Sequence, residues 1–256
     1  MARGLNKVMI IGLVERELEM RHTANGEPVT SFGMMTRRQW LTHAGERREA
    51  SEWFNVVAWG NLAQAASQRV RSGQRVYVEG YLQTRKWEDA KGQQHFRTEV
   101  VAGRLIPLDG VEACAEGDLD ADSEEMPLCL NRVVVIGNLG RDPEMRYTPR
   151  GQAVTSFSLA STRRWTAPGG ERKSATDWFN VICWGNLAEI CNQYLTKGRR
   201  VYVEGELRTR RWDAPDGKKL FRTELVASEM IMLGPRPKTQ EAKHASNNNY
   251  SDEAPF

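Results

Sequence analysis

Trp53-Phe54-Asn55-Val56-Val57-Ala58-Trp59-Gly60-Asn61-Leu62-Ala63 decides how this chain is read, because it occurs twice. Trp178-Phe179-Asn180-Val181-Ile182-Cys183-Trp184-Gly185-Asn186-Leu187-Ala188 answers it at an offset of 125 (178 − 53). Working outward, the match runs ungapped from residues 5–108 to 130–233, with roughly half the positions identical. Leu5-Asn6 answers Leu130-Asn131, Val29-Thr30-Ser31-Phe32 answers Val154-Thr155-Ser156-Phe157, and Arg75 to Gly80 answers Arg200 to Gly205. Such a period is too long for a solenoid or propeller unit. It marks two complete domains of ordinary size.

Within each copy the quoted stretch reads as a strand. Side chains alternate faces along a strand. Trp53 and Trp59 therefore share one face and Phe54, Val56 and Ala58 the other. The same parity separates Trp178 and Trp184 from Phe179, Val181 and Cys183. Val8 to Ile11 and Val29 to Arg38 precede it as strands, with Asn25-Gly26 a turn signal between them. Asn61 offers an N-cap, Leu62 to Arg71 a short helix and Gly73 its stop. Asn186, Leu187 to Lys197 and Gly198 are their counterparts. Arg75 to Lys86 and His95 to Arg104 complete five strands, with the helix between the third and fourth. That is the order of an OB barrel, and a generic small β-barrel fits it too. The fold class expected is all-β: two tandem OB-fold barrels, 1–108 and 130–233.

Charge divides along the same boundaries. Residues 1–108 carry 16 Lys/Arg against 11 Asp/Glu, and 130–233 carry 17 against 11, so both repeats are basic. Residues 109–129 hold eight acids and no base, which predicts an extended acidic linker. Residues 234–256, with Pro235, Pro237 and Asn247-Asn248-Asn249, have too few apolar side chains to fold and are expected to form a disordered tail. Basic domains favour polyanions.

All eight tryptophans fall at four equivalent positions: Trp40, Trp53, Trp59 and Trp87, then Trp165, Trp178, Trp184 and Trp212. Several have cationic neighbours. Arg38 lies just before Trp40, Arg85-Lys86 before Trp87, Arg164 before Trp165, and Arg210-Arg211 before Trp212. A barrel this small cannot hide four indoles beside its own Phe, Val and Leu, and unpaired buried charge is expensive. Indoles interleaved with cations suit unpaired nucleotides, because every base has a π-face while Arg and Lys follow the phosphates. An RNA-binding OB module remains the alternative, since stacking does not itself reject RNA.

Nothing frames an enzyme. There is no GxxxxGK[ST], HExxH or GxSxG. His22, His43 and His95 have Tyr147, Pro168 and Leu220 as counterparts, so the repeats share no catalytic histidine. Cys114, Cys129, Cys183 and Cys191 lack zinc spacing and read as reduced thiols. No cofactor or metal is expected. No apolar run is long enough to span a bilayer, and Met1-Ala2-Arg3-Gly4 opens no signal peptide, which points to the cytoplasm.

At these residues the chain resembles the bacterial single-stranded DNA-binding proteins. Asn131 to Glu144 is similar to the family's opening strand and turn. Trp178 to Ala188, Val201 to Gly205 and Arg208 to Trp212 match later motifs. The resemblance implies that the eight tryptophans stack on DNA and that basic neighbours such as Lys86 and Arg211 contact phosphates. Two folds per chain resemble the double-OB subclass, which implies a homodimer that retains four folds per assembly. Asp252, Glu253, Pro255 and Phe256 resemble the family's acidic tip, which implies docking of DNA replication and repair proteins. Leu13-Val14-Glu15-Arg16-Glu17-Leu18 departs from the family's turn, where the second repeat has Asn138-Leu139-Gly140-Arg141-Asp142-Pro143.

Overall fold

A largely apolar run with alternating burial forms the first strand. In Leu5–Val14 (β1) every second side chain, from Asn6 to Val14, is buried. A computed structural model describes residues 4–41, 45–88, 92, 94–108, 129–167, 169–213 and 219–234. At 40, 41, 86, 87, 94–96, 212, 213 and 219–221 it describes the backbone alone. After β1 come Glu19–His22 (β2), Pro28–Leu41 (β3), Arg47–Trp59 (β4), Gly60–Arg69 (α1), Arg75–Glu88 (β5) and Gln94–Pro107 (β6). The second repeat has Leu130–Leu139 (β7), Glu144–Tyr147 (β8), Ala153–Thr166 (β9), Arg172–Trp184 (β10), Gly185–Tyr194 (α2), Arg200–Asp213 (β11) and Lys219–Leu233 (β12).

Each repeat closes into a five-stranded barrel. In the first, β1 pairs with β3 and β5, β3 with β4, β5 with β6, and β4 runs parallel to β6 through Val56–Val100. The second closes the same way through β7, β9, β10, β12 and β11. Val8, Ile10, Phe32, Met34, Val56, Val78 and Leu82 fill the first core, with Ala63 and Ala66 of α1 against it. Both repeats are therefore OB barrels with one short helix.

Two details differ from the sequence reading. A short strand, β2 or β8, is added at the edge of β3 or β9. All four β2 side chains are exposed, so it carries no alternation to read. Asn61 and Asn186 lie inside the helices and do not cap them. Gly60 and Gly185 adopt φ of +58° and +55°, a left-handed turn that carries the strand straight into the helix two residues earlier than expected. Trp59 and Trp184 thus occupy the N-cap positions, with no side-chain cap bond.

The barrels are joined edge to edge. β1 and β7 pair antiparallel from Leu5–Ile136 to Ile11–Leu130, and Val8 meets its own counterpart, Val133. The pairing is a pseudo-twofold about Val8 and Val133, and it merges both barrels into one 12-stranded sheet. Asn6 Nδ2 reaches Asp177 at 3.4 Å, and the Thr209 amide donates to Glu52, the counterpart of Asp177, at 2.8 Å, so each of these two acids is held across the boundary. Of the expected linker (109–129) and tail (234–256), residues 109–128 and 235–256 lie outside the described residues.

Candidate nucleic-acid interface

β4 carries the first half of the site. Phe54, Val56 and Ala58 point into the core, while Trp53 and Trp59 on the opposite face are 57% and 43% exposed. β10 repeats the arrangement with Phe179, Val181 and Cys183 inward and Trp178 and Trp184 exposed. Trp165, near the end of β9, is exposed as well. Arg85, Arg164, Arg210 and Arg211 are exposed. The side chains of Trp40, Lys86, Trp87 and Trp212, and all of Asp252, Glu253, Pro255 and Phe256, lie outside the described residues.

Between the paired indoles lies a polar cluster that sequence reasoning missed. Arg97 donates from Nη2 to Asn55 Oδ1 at 2.9 Å, and Asn55 donates to Glu99 at 3.3 Å. Arg222 makes the same bond to Asn180 in the second repeat. A guanidinium is therefore held on the same face as the tryptophans. The signal was present, since Phe96-Arg97-Thr98-Glu99 recurs as Phe221-Arg222-Thr223-Glu224.

The pseudo-twofold brings both halves to one groove of about 1200 Å³. Trp53, Asn55, Thr84 and Arg97 line it from one repeat, and Trp178, Asn180, Thr209 and Arg222 from the other. The lining differs at one end. Glu15, Arg16, Glu17, Glu19 and Arg21 belong to it, whereas their counterparts in the second repeat do not.

None of the described basic residues singled out lines this groove. Arg38 is directed to the domain boundary, where Nε lies 3.9 Å from Glu206. Its counterpart, Arg163, bonds Asp177 at 2.6 Å and stacks 3.9 Å from the centroid of the Tyr81 ring in the first domain. These residues tie the barrels together. Burial pushes the Glu52 carboxyl up, against the Thr209 amide and the nearby Arg208 and Arg38, which favour its charged form. Among the described residues no cluster of His, Cys, Asp and Glu is arranged to hold a metal ion, and no helix is long and apolar enough to cross a membrane.

The comparisons with known proteins match this duplicated architecture. The model of the Single-strand binding protein family matches residues 5–108 and again residues 130–233. The chain belongs to that family. Among its relatives, the single-stranded DNA-binding protein of Thermus thermophilus is 34% identical over 229 residues, covering 89% of this chain and 84% of the relative. That of Deinococcus radiodurans is 33% identical over 211 residues, covering 81% and 68%. The crystal structure of the wild-type single-stranded DNA-binding protein from Thermus aquaticus superposes with a TM-score of 0.69 at 28% identity, covering 92% of this chain and 96% of that one. The family members compared thus share both barrels, not one.

Proposed function

We propose that this chain binds single-stranded DNA without sequence preference and works as a binding protein, not an enzyme. The observation that carries the proposal is the shared groove. Each half offers an exposed indole beside a guanidinium held by an asparagine, on a rigid strand. Unpaired bases stack on the indoles, and the arginines pair with the phosphates. Duplex DNA buries its base faces, so it binds far more weakly. Trp59, Trp165 and Trp184, exposed beyond the groove, extend the path along both barrels with Arg85, Arg164, Arg210 and Arg211, and Trp40, Trp87, Trp212 and Lys86 are included in the proposal as further strand contacts.

The working assembly in this proposal is a homodimer in the cytoplasm. The outer face of β1, β5, β7 and β11 supports it. Met9, Ile11, Val134 and Ile136 lie there among the ion pairs Lys7–Glu79 (3.0 Å) and Arg132–Glu204 (2.7 Å). A face that carries both signs twice about a twofold is complementary to a second copy of itself. Asp252, Glu253, Pro255 and Phe256 then recruit DNA replication and repair proteins. Deleting 251–256 should leave strand affinity intact and abolish capture of those partners; retained capture refutes the docking role.

Titrating oligo(dT) against intrinsic fluorescence tests the main proposal. Strong quenching is expected, with duplex DNA and oligo(U) as much weaker competitors. Unchanged emission at saturation sinks the stacking assignment, and a preference for oligo(U) makes the chain an RNA binder.

A further inference from the structure

Resting on the single-stranded DNA binding proposed above, we infer that Glu15 is a residue that sets the affinity of one half of the groove. Its carboxylate competes with strand phosphates at the Trp53 platform and makes the first domain the weaker half of the groove.

The backbone of Glu15 is pinned on both sides. Its N–H donates to the Gly33 carbonyl at 3.1 Å, and its carbonyl accepts the Ser72 hydroxyl at 3.0 Å. The side chain then reaches Trp53, whose indole Nε1 donates to Glu15 Oε1 at 2.5 Å. The other carboxylate oxygen lies over Gly33, where a Cβ would come within 2.9 Å of it. Gly33, lacking a side chain, leaves the carboxylate this room.

The second domain exchanges the two residues. Gly140 stands at the position of Glu15 and Ser158 at that of Gly33, while the same backbone bond, Gly140 to Ser158, is kept at 2.9 Å. Trp178 leans on Gly140 directly, and a Cβ there would run into the indole ring and the Ser158 hydroxyl. One side chain fits beside the tryptophan in each domain, and only in the first is it an acid.

Exposure does not separate the two platforms, since Trp53 and Trp178 are 57% and 55% exposed. Charge does. Nor is the difference shared by the neighbouring acid. Glu17 accepts the Ser72 amide at 3.3 Å, and its counterpart Asp142 accepts the Lys197 amide at 2.7 Å, so that turn is acidic in both domains. Glu15 alone has no acidic counterpart. Arg21, on the same wall, is bonded to Glu19 at 2.8 Å. A base stacking on Trp53 brings its phosphate toward a carboxylate, whereas a base on Trp178 meets a bare backbone.

The test compares Glu15→Gln with wild type in the full chain, titrated with oligo(dT) at several salt concentrations. Glu15→Gln keeps the size and the hydrogen bond and removes the charge. Glu27→Gln makes the same change in net charge on an exposed turn and serves as the reference. Glu15→Gln should tighten binding about three- to tenfold at low salt, the Boltzmann factor of one like-charge contact screened by water's full dielectric. The gain should shrink as salt screens the charge, and Glu27→Gln should change little. Affinity of Glu15→Gln no greater than that of Glu27→Gln, in a series whose wild type binds oligo(dT), overturns the role of Glu15 and leaves the strand binding standing. A wild-type chain that does not bind oligo(dT) overturns both.

Discussion

Trp178 and Phe179 are neighbours in sequence with opposite fates, because a strand sends successive side chains to opposite faces. Trp178 is 55% exposed in the groove and Phe179 is 8% exposed in the second core. Trp178→Ala should therefore weaken oligo(dT) binding by about 1–3 kcal/mol, a range that comes from single-strand-binding OB folds themselves, with little loss of stability. Phe179→Ala should lower stability by about 3–5 kcal/mol through the cavity it leaves. Urea denaturation beside fluorescence titration separates the two effects; a large stability loss in Trp178→Ala contradicts the exposed placement. Period-two alternation made this division legible in the sequence. The contact between Trp53 and Glu15 was not legible, because 38 residues separate the pair and only β3, paired with both the end of β1 and β4, brings them together.

At the scale of elements, one asparagine in each barrel holds the first strand to its neighbour. Asn6 donates from Nδ2 to the Leu82 carbonyl at 2.8 Å and accepts the Leu82 amide at 3.0 Å. Asn131 does the same with Leu207. The ladder between β5 and β6 shifts register between Glu79 and Gly80, and the equivalent shift lies between Glu204 and Gly205. Beyond that bulge the asparagine side chain supplies the pairing to Leu82 or Leu207. Asn6→Ala should leave both Leu82 backbone groups unpaired inside the fold and cost about 1–3 kcal/mol for each group. Urea midpoints that match wild type would show that water replaces the side chain. Another pairing, that of Cys183 with Cys191, depends on the helix start. The sulfurs lie 3.6 Å apart because Gly185 turns α2 back over β10, and the hydrogen bond with Cys191 together with burial pushes the Cys183 thiol up. Eight residues of separation gave no hint of that meeting, and Ala58 and Ala66 occupy the same places in the first barrel.

The whole molecule is two barrels fused through β1 and β7, and its outer face has a pH dependence that can be worked out. Hydrogen bonds from Lys7 and then Tyr77 hold the Glu79 carboxyl below its ordinary range, and Arg132 and then Tyr202 do so for Glu204. A carboxylate depressed in the folded state stabilises above its unfolded pKa, and that contribution is lost as pH falls through the folded value. Below about pH 4 both acids gain protons, and Lys7 and Arg132 are left facing a second copy without counter-charge. The proposed dimer should dissociate in that window, and Glu79→Gln with Glu204→Gln should weaken it at neutral pH. Light-scattering mass against pH checks both; an assembly unchanged to pH 3 places the dimer contact elsewhere. The repeat, the strand periods, the outward tryptophans and the barrel class were all local or periodic properties, so the sequence by itself determined them. The union of the barrels was decided only in three dimensions. Strand pairing is written in backbone hydrogen bonds that any side chain permits, so nothing in Leu5 to Ile11 announces Leu130 to Ile136 as its partner. The shared groove, the Asn55–Arg97 and Asn180–Arg222 pairs within it and the acid beside Trp53 follow from that closure, because each joins residues that only tertiary packing brings together.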